Sequence, residues 1–314
     1  MIRLLTQSPS DFKQFFSFLK THNPYSRNGL SEYLCKHHYQ NLIDSAQSTI
    51  FALEQHNRFK GVLALGCPKH RPFALSYALF DTQCTHDDFE ALWQYGIRFL
   101  KEHNQSQVET EYLHTQTVYK QSLIQLGFKL KDQHFLSSYD LNQALPSWVI
   151  DKKADLENSY SFQILTLDQF KSQVPDWKRA WYTLHQETIT DIPSKIPVTT
   201  LSFEEWKRLV LKQVHPNTLF LFLMIDRTLQ GYLIATRGDR VYEIDYTTIR
   251  RSYRRFGFST LLKTHLIQSA QEEGLEQIYT RNHRDNPMWQ LNQKFGFKLN
   301  NTQEIYLLNL EDIQ

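Results

Sequence analysis

The stretch Tyr253-Arg254-Arg255-Phe256-Gly257-Phe258-Ser259 decides how this chain is read. It joins a strand pattern, Arg240 to Ile249, to a helix pattern, Gly257 to Glu273. In that helix Phe258, Leu262, Leu266 and Ala270 recur down one side and Gly274 supplies the stop. A glycine at the junction lets the main chain approach a ligand closely. Free N–H groups at a helix N-terminus, helped by the helix dipole, favour a diphosphate. Arg254 and Arg255 add positive charge at the same point. Taken alone, the loop reads equally well as a strand-to-helix turn carrying two solvated arginines.

Working outward, Tyr160 to Leu165 has a strand pattern and Leu167 to Gln186 one or two helical ones. Ser202 to Lys212 comes next as a short helix, with Ser202 at the cap and Glu205 three residues on. Thr218 to Ile225, Gly231 to Thr236 and Arg240 to Ile249 are separated by turn signals, as consecutive antiparallel strands would be. After the helix come a strand at Gln277 to Thr280 and a short helix framed by Asn286, Pro287 and Gly296. Glu304 to Leu310 closes the half as a strand.

The N-terminal half runs in a similar order. Strands are expected at Ile2 to Leu5, Thr49 to Leu53, Phe59 to Leu65, Phe73 to Leu79, Val108 to Tyr112 and Phe135 to Tyr139. Helices are expected at Ser10 to Lys20, from Thr85 onward, and at Val118 to Leu126. A Gly-Phe pair stands after the short helix in both halves, at Gly127-Phe128 and Gly296-Phe297. The economical account is one α/β (α+β) fold written twice in tandem, each copy a mixed, mostly antiparallel sheet flanked by helices. The expected boundaries are 1–141 for the first domain, 142–159 for a linker and 160–314 for the second.

Bulk properties narrow the class. A length of 314 residues suits two domains, and 41% hydrophobic with 22% charged residues suits a folded protein rather than a disordered one. Thirty-five basic against thirty-three acidic residues leave a net charge of +2, which offers no general attraction to nucleic acid or a membrane surface. Cys35, Cys67 and Cys84, odd in number and widely spaced, argue against a disulfide framework. With no signal-peptide core and no spanning apolar run, the expected location is cytoplasmic. Cys35-Lys36-His37-His38 is read as a solvated helix end rather than a metal site, so no metal is expected.

The residues around the loop resemble the GNAT (GCN5-related) superfamily of acyl-CoA-dependent N-acetyltransferases. That family's signature is Gln or Arg, two residues, Gly, one residue, then Gly or Ala, and Arg254, Gly257 and Ser259 hold those places. Ser259 departs from it but is small. Asp245-Tyr246-Thr247-Thr248-Ile249, Thr280-Arg281-Asn282, Asn286-Pro287-Met288, Asn292 and Phe295-Gly296-Phe297 look like tandem members of the family, among them the mycothiol-synthase-like group. The resemblance covers about Tyr160 to Leu310; the N-terminal half resembles the family only in the order of its elements.

The resemblance implies that the fourth and fifth strands of the second domain splay apart around acetyl-CoA, the co-substrate. The pantetheine arm would pair with Thr247, Thr248 and Ile249, and the diphosphate would rest on the amides of Arg254, Arg255, Phe256, Gly257, Phe258 and Ser259. Asn286 and Asn292 would face the cofactor, although Asn286 also reads as a helix cap. Glu243 stands where the family keeps its general base. Two apart on a strand, Glu243 and Asp245 share a face, and their repulsion would raise one pKa toward useful base strength. The same pair also reads as a solvated strand face alternating with Tyr242, Ile244 and Tyr246.

The family's usual acid, a tyrosine four residues before the glycine of the last short helix, is Asn292 in this chain. An asparagine cannot act as that acid, so either another group, Tyr246 or Tyr279, donates the proton or the thiolate leaves unaided and is protonated by solvent. The N-terminal half has Asp81-Thr82-Gln83-Cys84 where the loop would stand, so it is expected to bind no acyl-CoA and to help shape the acceptor cleft. Thr188 to Thr200, with Asp191, Ile192, Pro193 and Pro197, is expected to line that cleft. The expected activity is transfer of an acetyl (acyl) group to a primary amine of a small molecule or peptide. The alternative from another class is a non-catalytic acyl-CoA sensor or scaffold. A homodimer is compatible with the sequence.

Overall fold

In the computed structural model, residues 1–6, 8–22, 48–67, 73–193, 200–211, 214 and 216–313 are described, apart from the Val118 side chain. The Cys35 to His38 cluster and Pro197 lie outside them. Along the chain run β1 (Ile2–Leu4), α1 (Pro9–His22), β2 (Ser48–Gln55), β3 (Arg58–Gly66), β4 (Ala74–Phe80), α2 (His86–Glu102), β5 (Gln107–Leu113), α3 (Thr117–Gln125) and β6 (Lys129–Asp140). Next are α4 (Ser147–Ser159), β7 (Phe162–Thr166), α5 (Leu167–Gln173), α6 (Trp177–Ile189), α7 (Phe203–Val210), β8 (Thr218–Ile225), β9 (Thr228–Arg237) and β10 (Val241–Ile249). The last elements are α8 (Phe258–Glu272), β11 (Gln277–His283), α9 (Pro287–Phe295) and β12 (Lys298–Asn309). This is the expected α/β fold of mixed, mostly antiparallel sheets flanked by helices.

Two compact units result, residues 1–134 with 301–314 and residues 135–300. These do not coincide with the contiguous boundaries read from the sequence. In the first unit the strand order is β1-β2-β3-β4-β5-β12. The C-terminal strand, expected to close the second half, pairs antiparallel with β5 from Gln303↔Leu113 to Asn309↔Gln107. Alternation sends Val62 and Ala64 to the face covered by α1, with Phe15, Phe18 and Leu19, while Leu63 and Leu65 face α2 and its Phe89, Leu92 and Trp93. Tyr306 and Leu308 of β12 join that second cluster. Glu304, 2% exposed, fastens the strand further by accepting bonds from Lys120, His114 and Tyr306. Burial alone would raise its pKa, but these donors outweigh burial and hold the carboxyl at about 2.

The second unit has the order β6-β11-β10-β9-β8-β7, so it is closed by a strand from the N-terminal half. Phe220, Phe222 and Met224 of β8 face α5, α6 and α7, with Phe170, Trp181 and Trp206; Leu221 and Leu223 face α4 and α8. The expected linker is instead helix α4 over most of its length, because Val149 and Leu156 bury an apolar side in that second cluster. Lys263 of α8 is 2% exposed and sits over the Phe297 ring at 5.6 Å, without an ion-pair partner among the described residues. Burial lowers its pKa from 10.5 to about 7.

Each unit therefore lacks its closing strand if the chain is cut near residue 141. Expressed separately, residues 1–141 and 142–314 are expected to melt without a cooperative transition by circular dichroism; a sharp independent transition in either would contradict the exchange. Between pH 7 and 10.5 the unfolded chain holds the Lys263 proton and the native chain sheds it, so native stability rises with pH through this window. Lys263→Met is expected to raise Tm at pH 7 by about 5 °C and to flatten that rise. An unchanged slope would show that Lys263 is not the group responsible.

Candidate functional site

Parallel pairing of β10 with β11 covers Val241↔Gln277 to Ile244↔Thr280 and ends there, although both strands continue. On its other edge β10 stays paired with β9 as far as Ile249↔Gly231. The main-chain edge of residues 245–249 that faced β11 is thus released. Thr247 Oγ1 beside it is buried without a hydrogen-bond partner among the described residues. A buried hydroxyl in this state costs roughly 1–3 kcal/mol unless a ligand satisfies it.

Beyond β10, Arg251–Tyr253 form one 3-10 turn and the chain reverses through Arg255 and Gly257, both at positive φ. Gly257, at φ 109°, is the N-cap of α8 and supplies no side-chain bond to the first helical N–H groups. Three other helices close this end with capping boxes, Thr85 with Asp88, Thr166 with Gln169 and Ser202 with Glu205, whereas α3, α4 and α6 share with α8 the lack of a side-chain cap bond. At α8 the donors and the positive end of the dipole are left open. A Cβ on Gly257 would stand 2.5 Å from Lys152 Cε of α4.

A cavity of about 450 Å³ joins the two features. Thr247, Thr248, Ile249, Arg254, Arg255, Phe258, Ser259 and Asn286, all singled out from the sequence, lie on its wall. Asp191, Ile192 and Pro193 of the expected cleft segment line it too. Glu243, Asp245, Phe256 and Gly257 do not; Phe256 is 46% exposed and packs edge-on against Tyr160. Asn292 is also off the wall, fully buried with Nδ2 donating to Asn282 Oδ1 at 2.6 Å. Asn286 caps α9, accepting from Met288 N at 2.9 Å, which matches its alternative reading.

Glu243 and Asp245 do share a face, but the alternation beyond them differs from expectation. Register between β9 and β10 shifts between Ile244 and Tyr246, which makes Asp245 the extra residue of a bulge. Tyr246 is thereby turned to the same side, where it stacks on Tyr232 and lies 3.4 Å from Thr188 Oγ1. Both carboxylates keep solvent access while protein crowds their other sides. That crowding raises the Glu243 pKa and lifts Asp245 to about 7, with the Glu243 charge adding to it; Thr236, donating to Asp245 Oδ2 at 2.6 Å, and Arg281 oppose the rise.

Of the two alternative acids, Tyr246 lines the cavity, whereas Tyr279 does not and its hydroxyl donates to Gln277 Oε1. Sequence reasoning missed Asp191 as an ion-pair partner. Its carboxylate binds Arg251 and Arg254, and it stands sixty and sixty-three residues from them, with no local pattern to connect them. Also missed was Tyr246 on the same strand face as the carboxylates, stacked on Tyr232, since a bulge leaves no mark in hydrophobic periodicity.

In the first unit the equivalent junction is closed. Thr85 and Asp88 cap α2, the Tyr119 hydroxyl bonds Asp81 O at 3.1 Å, and Phe80, Phe89 and Tyr119 stack together beneath. Cys84 is half-buried there, its thiol pushed up to about 12 by burial and then by Asp88 and Asp81. Among the described residues no group of three His, Cys, Asp or Glu could hold a metal ion, and no helix is long and apolar enough to cross a membrane.

The positive φ at Gly257 and the crowding by Lys152 together predict that Gly257→Ala costs about 1–2 kcal/mol. A fall in Tm of roughly 2–8 °C by calorimetry is expected, and an unchanged Tm would mean that the loop is not held in this conformation.

Comparisons with known proteins bear on the fold. Residues 176–297 match the Acetyltransferase (GNAT) family. A tandem GNAT protein from the clavulanic acid biosynthesis pathway shares 14% identity at a TM-score of 0.74, over 99% of this chain and 98% of that one. A GCN5-related N-acetyltransferase from Sphaerobacter thermophilus shares 12% at a TM-score of 0.71, over 98% and 96%. No curated protein sequence matches significantly. The chain carries a GNAT-type domain and has the tandem GNAT fold.

Proposed function

We propose that the protein is an acyl-CoA-dependent N-acyltransferase that moves an acetyl or other short acyl group to a primary amine. One observation carries the reading: a single cavity runs from the split between β10 and β11 to the uncapped start of α8. A linear ligand with an amide-bearing arm and a diphosphate matches both ends. The arm would bond the free edge at Thr247 to Ile249 and the diphosphate the amides of residues 255–259. The first unit, whose helix start is capped and flanked by Asp81 and Asp88, would hold no such ligand.

The reaction asks for a neutral amine, a polarised thioester carbonyl and an outlet for thiolate charge. Asp245, with Glu243 beside it, would take the proton from the ammonium form of the acceptor, directly or through water; a carboxylate near pKa 7 is suited to that task. The amine lone pair then attacks the carbonyl carbon, the C–S bond breaks, the nitrogen gives up its second proton to water, and amide and thiol are the products. The Tyr246 hydroxyl, on the cavity wall, would donate to the departing sulfur in place of the tyrosine that Asn292 replaces. The remaining reading, a sensor that binds acyl-CoA without turnover, draws on that same Asn292 substitution.

Thiol release from acetyl-CoA, measured with a panel of primary amines, separates the two. Amine-dependent release is expected, with kcat/KM rising with pH through about 7 as the carboxylate pair deprotonates. Asp245→Asn should lower kcat by about 100-fold or more and remove that limb. Binding of acetyl-CoA with no release for any amine would favour the sensor, and an Asn variant with unchanged rate and pH profile would remove Asp245 from the mechanism.

A further inference from the structure

Arg254 stands at the mouth of the proposed diphosphate site, yet its guanidinium already has an anion. Asp191, two residues past the end of α6, accepts at Oδ1 from Arg251 Nη2 at 2.5 Å. Its Oδ2 accepts from Arg251 Nε at 3.0 Å and from Arg254 Nη2 at 2.5 Å. Arg254 Nε is bound separately, to Ile249 O at 2.9 Å. Two guanidinium groups gripping two oxygens of one anion is the arrangement that also binds phosphate. The carboxylate lies on the wall of the same cavity as Arg254, Arg255 and Ser259.

We propose that Asp191 is a built-in stand-in for a ligand phosphate, holding Arg251 and Arg254 in the free protein and giving way when a phosphate-bearing ligand enters. This rests on the acyl-CoA reading above. The lock is exchangeable: side-chain exposure is 24% for Asp191, 63% for Arg251 and 37% for Arg254, so water and salt reach all three. Protonation does not open it, because the two arginines hold the carboxyl at about 2, against a smaller upward pull from burial. Only a competing anion can. The local balance favours such a competitor, since Arg255 has no ion-pair partner among the described residues and Lys152 packs against Gly257.

The consequence is an affinity penalty that applies only to ligands with phosphates. Titration calorimetry with coenzyme A, and ligand-observed NMR with pantetheine, which has none, would be run on the wild type and on Asp191→Asn. The Asn variant should bind coenzyme A about fivefold tighter or more, with pantetheine affinity unchanged and a steeper loss of coenzyme A affinity with salt. Equal or weaker binding of coenzyme A, with pantetheine unchanged, overturns the proposal and leaves Asp191 as a residue that positions Arg254. A parallel loss for both ligands also overturns it, and points to a disturbed fold. No binding of either ligand by either protein overturns it together with the acyl-CoA reading.

Discussion

The site depends on where two parallel strands stop pairing. As long as β10 and β11 are bonded, from Val241 to Ile244, no ligand can enter between them; beyond Thr280 the same strands part and one edge of β10 is left without β11. A β-strand edge inside a protein needs partners, and here no segment among the described residues pairs with it as a strand. The bulge at Asp245 belongs to the same event, since it bends β10 away and brings Asp245 and Tyr246 onto one face beside Glu243. Opening the sheet and grouping the polar side chains are thus one deformation.

The two units share a topology but differ in the residues at one junction, and so in the charge and capping each junction presents. Both run a strand into a helix after the third antiparallel strand. At α2 the chain spends Thr85 and Asp88 on the helix N-terminus and packs Phe80, Phe89 and Tyr119 beneath it, so charge and volume are both taken up internally. At α8 Gly257 gives no cap, and arginines rather than aspartates flank the turn. An anion is repelled by the first arrangement and attracted by the second. The fold alone does not separate them; a few residues at one turn do.

Much of this is legible in the sequence, for identifiable reasons. The unbroken apolar run Thr218–Ile225 and the periodic helix beginning after Gly257 lie close to their expected places, because apolar runs and spacing report local burial. Caps and stops at Ser202, Asn286 and Gly296 are short-range hydrogen-bond chemistry and are equally readable. The exchange of closing strands is not, since the apolar pattern of Tyr306 and Leu308 is the same whichever sheet they join. Helix α4 reads as a connector because its apolar residues are few, and only Val149 and Leu156 are deeply buried. Thr247 to Ile249, Arg254, Arg255, Phe258 and Ser259, singled out together along the chain, also meet on one cavity wall. Asn292, the bulge and the grip of Asp191 on Arg251 and Arg254 depend on three-dimensional neighbours that no spacing encodes.

The central claim is that the parted strands and the uncapped helix bind one ligand together. A crystal structure of the chain grown with coenzyme A tests it most directly. The account predicts the diphosphate on the main-chain N–H groups of residues 255–259 and the pantetheine arm along Thr247 to Ile249. Coenzyme A bound elsewhere, with β10 and β11 parted and empty, would contradict it.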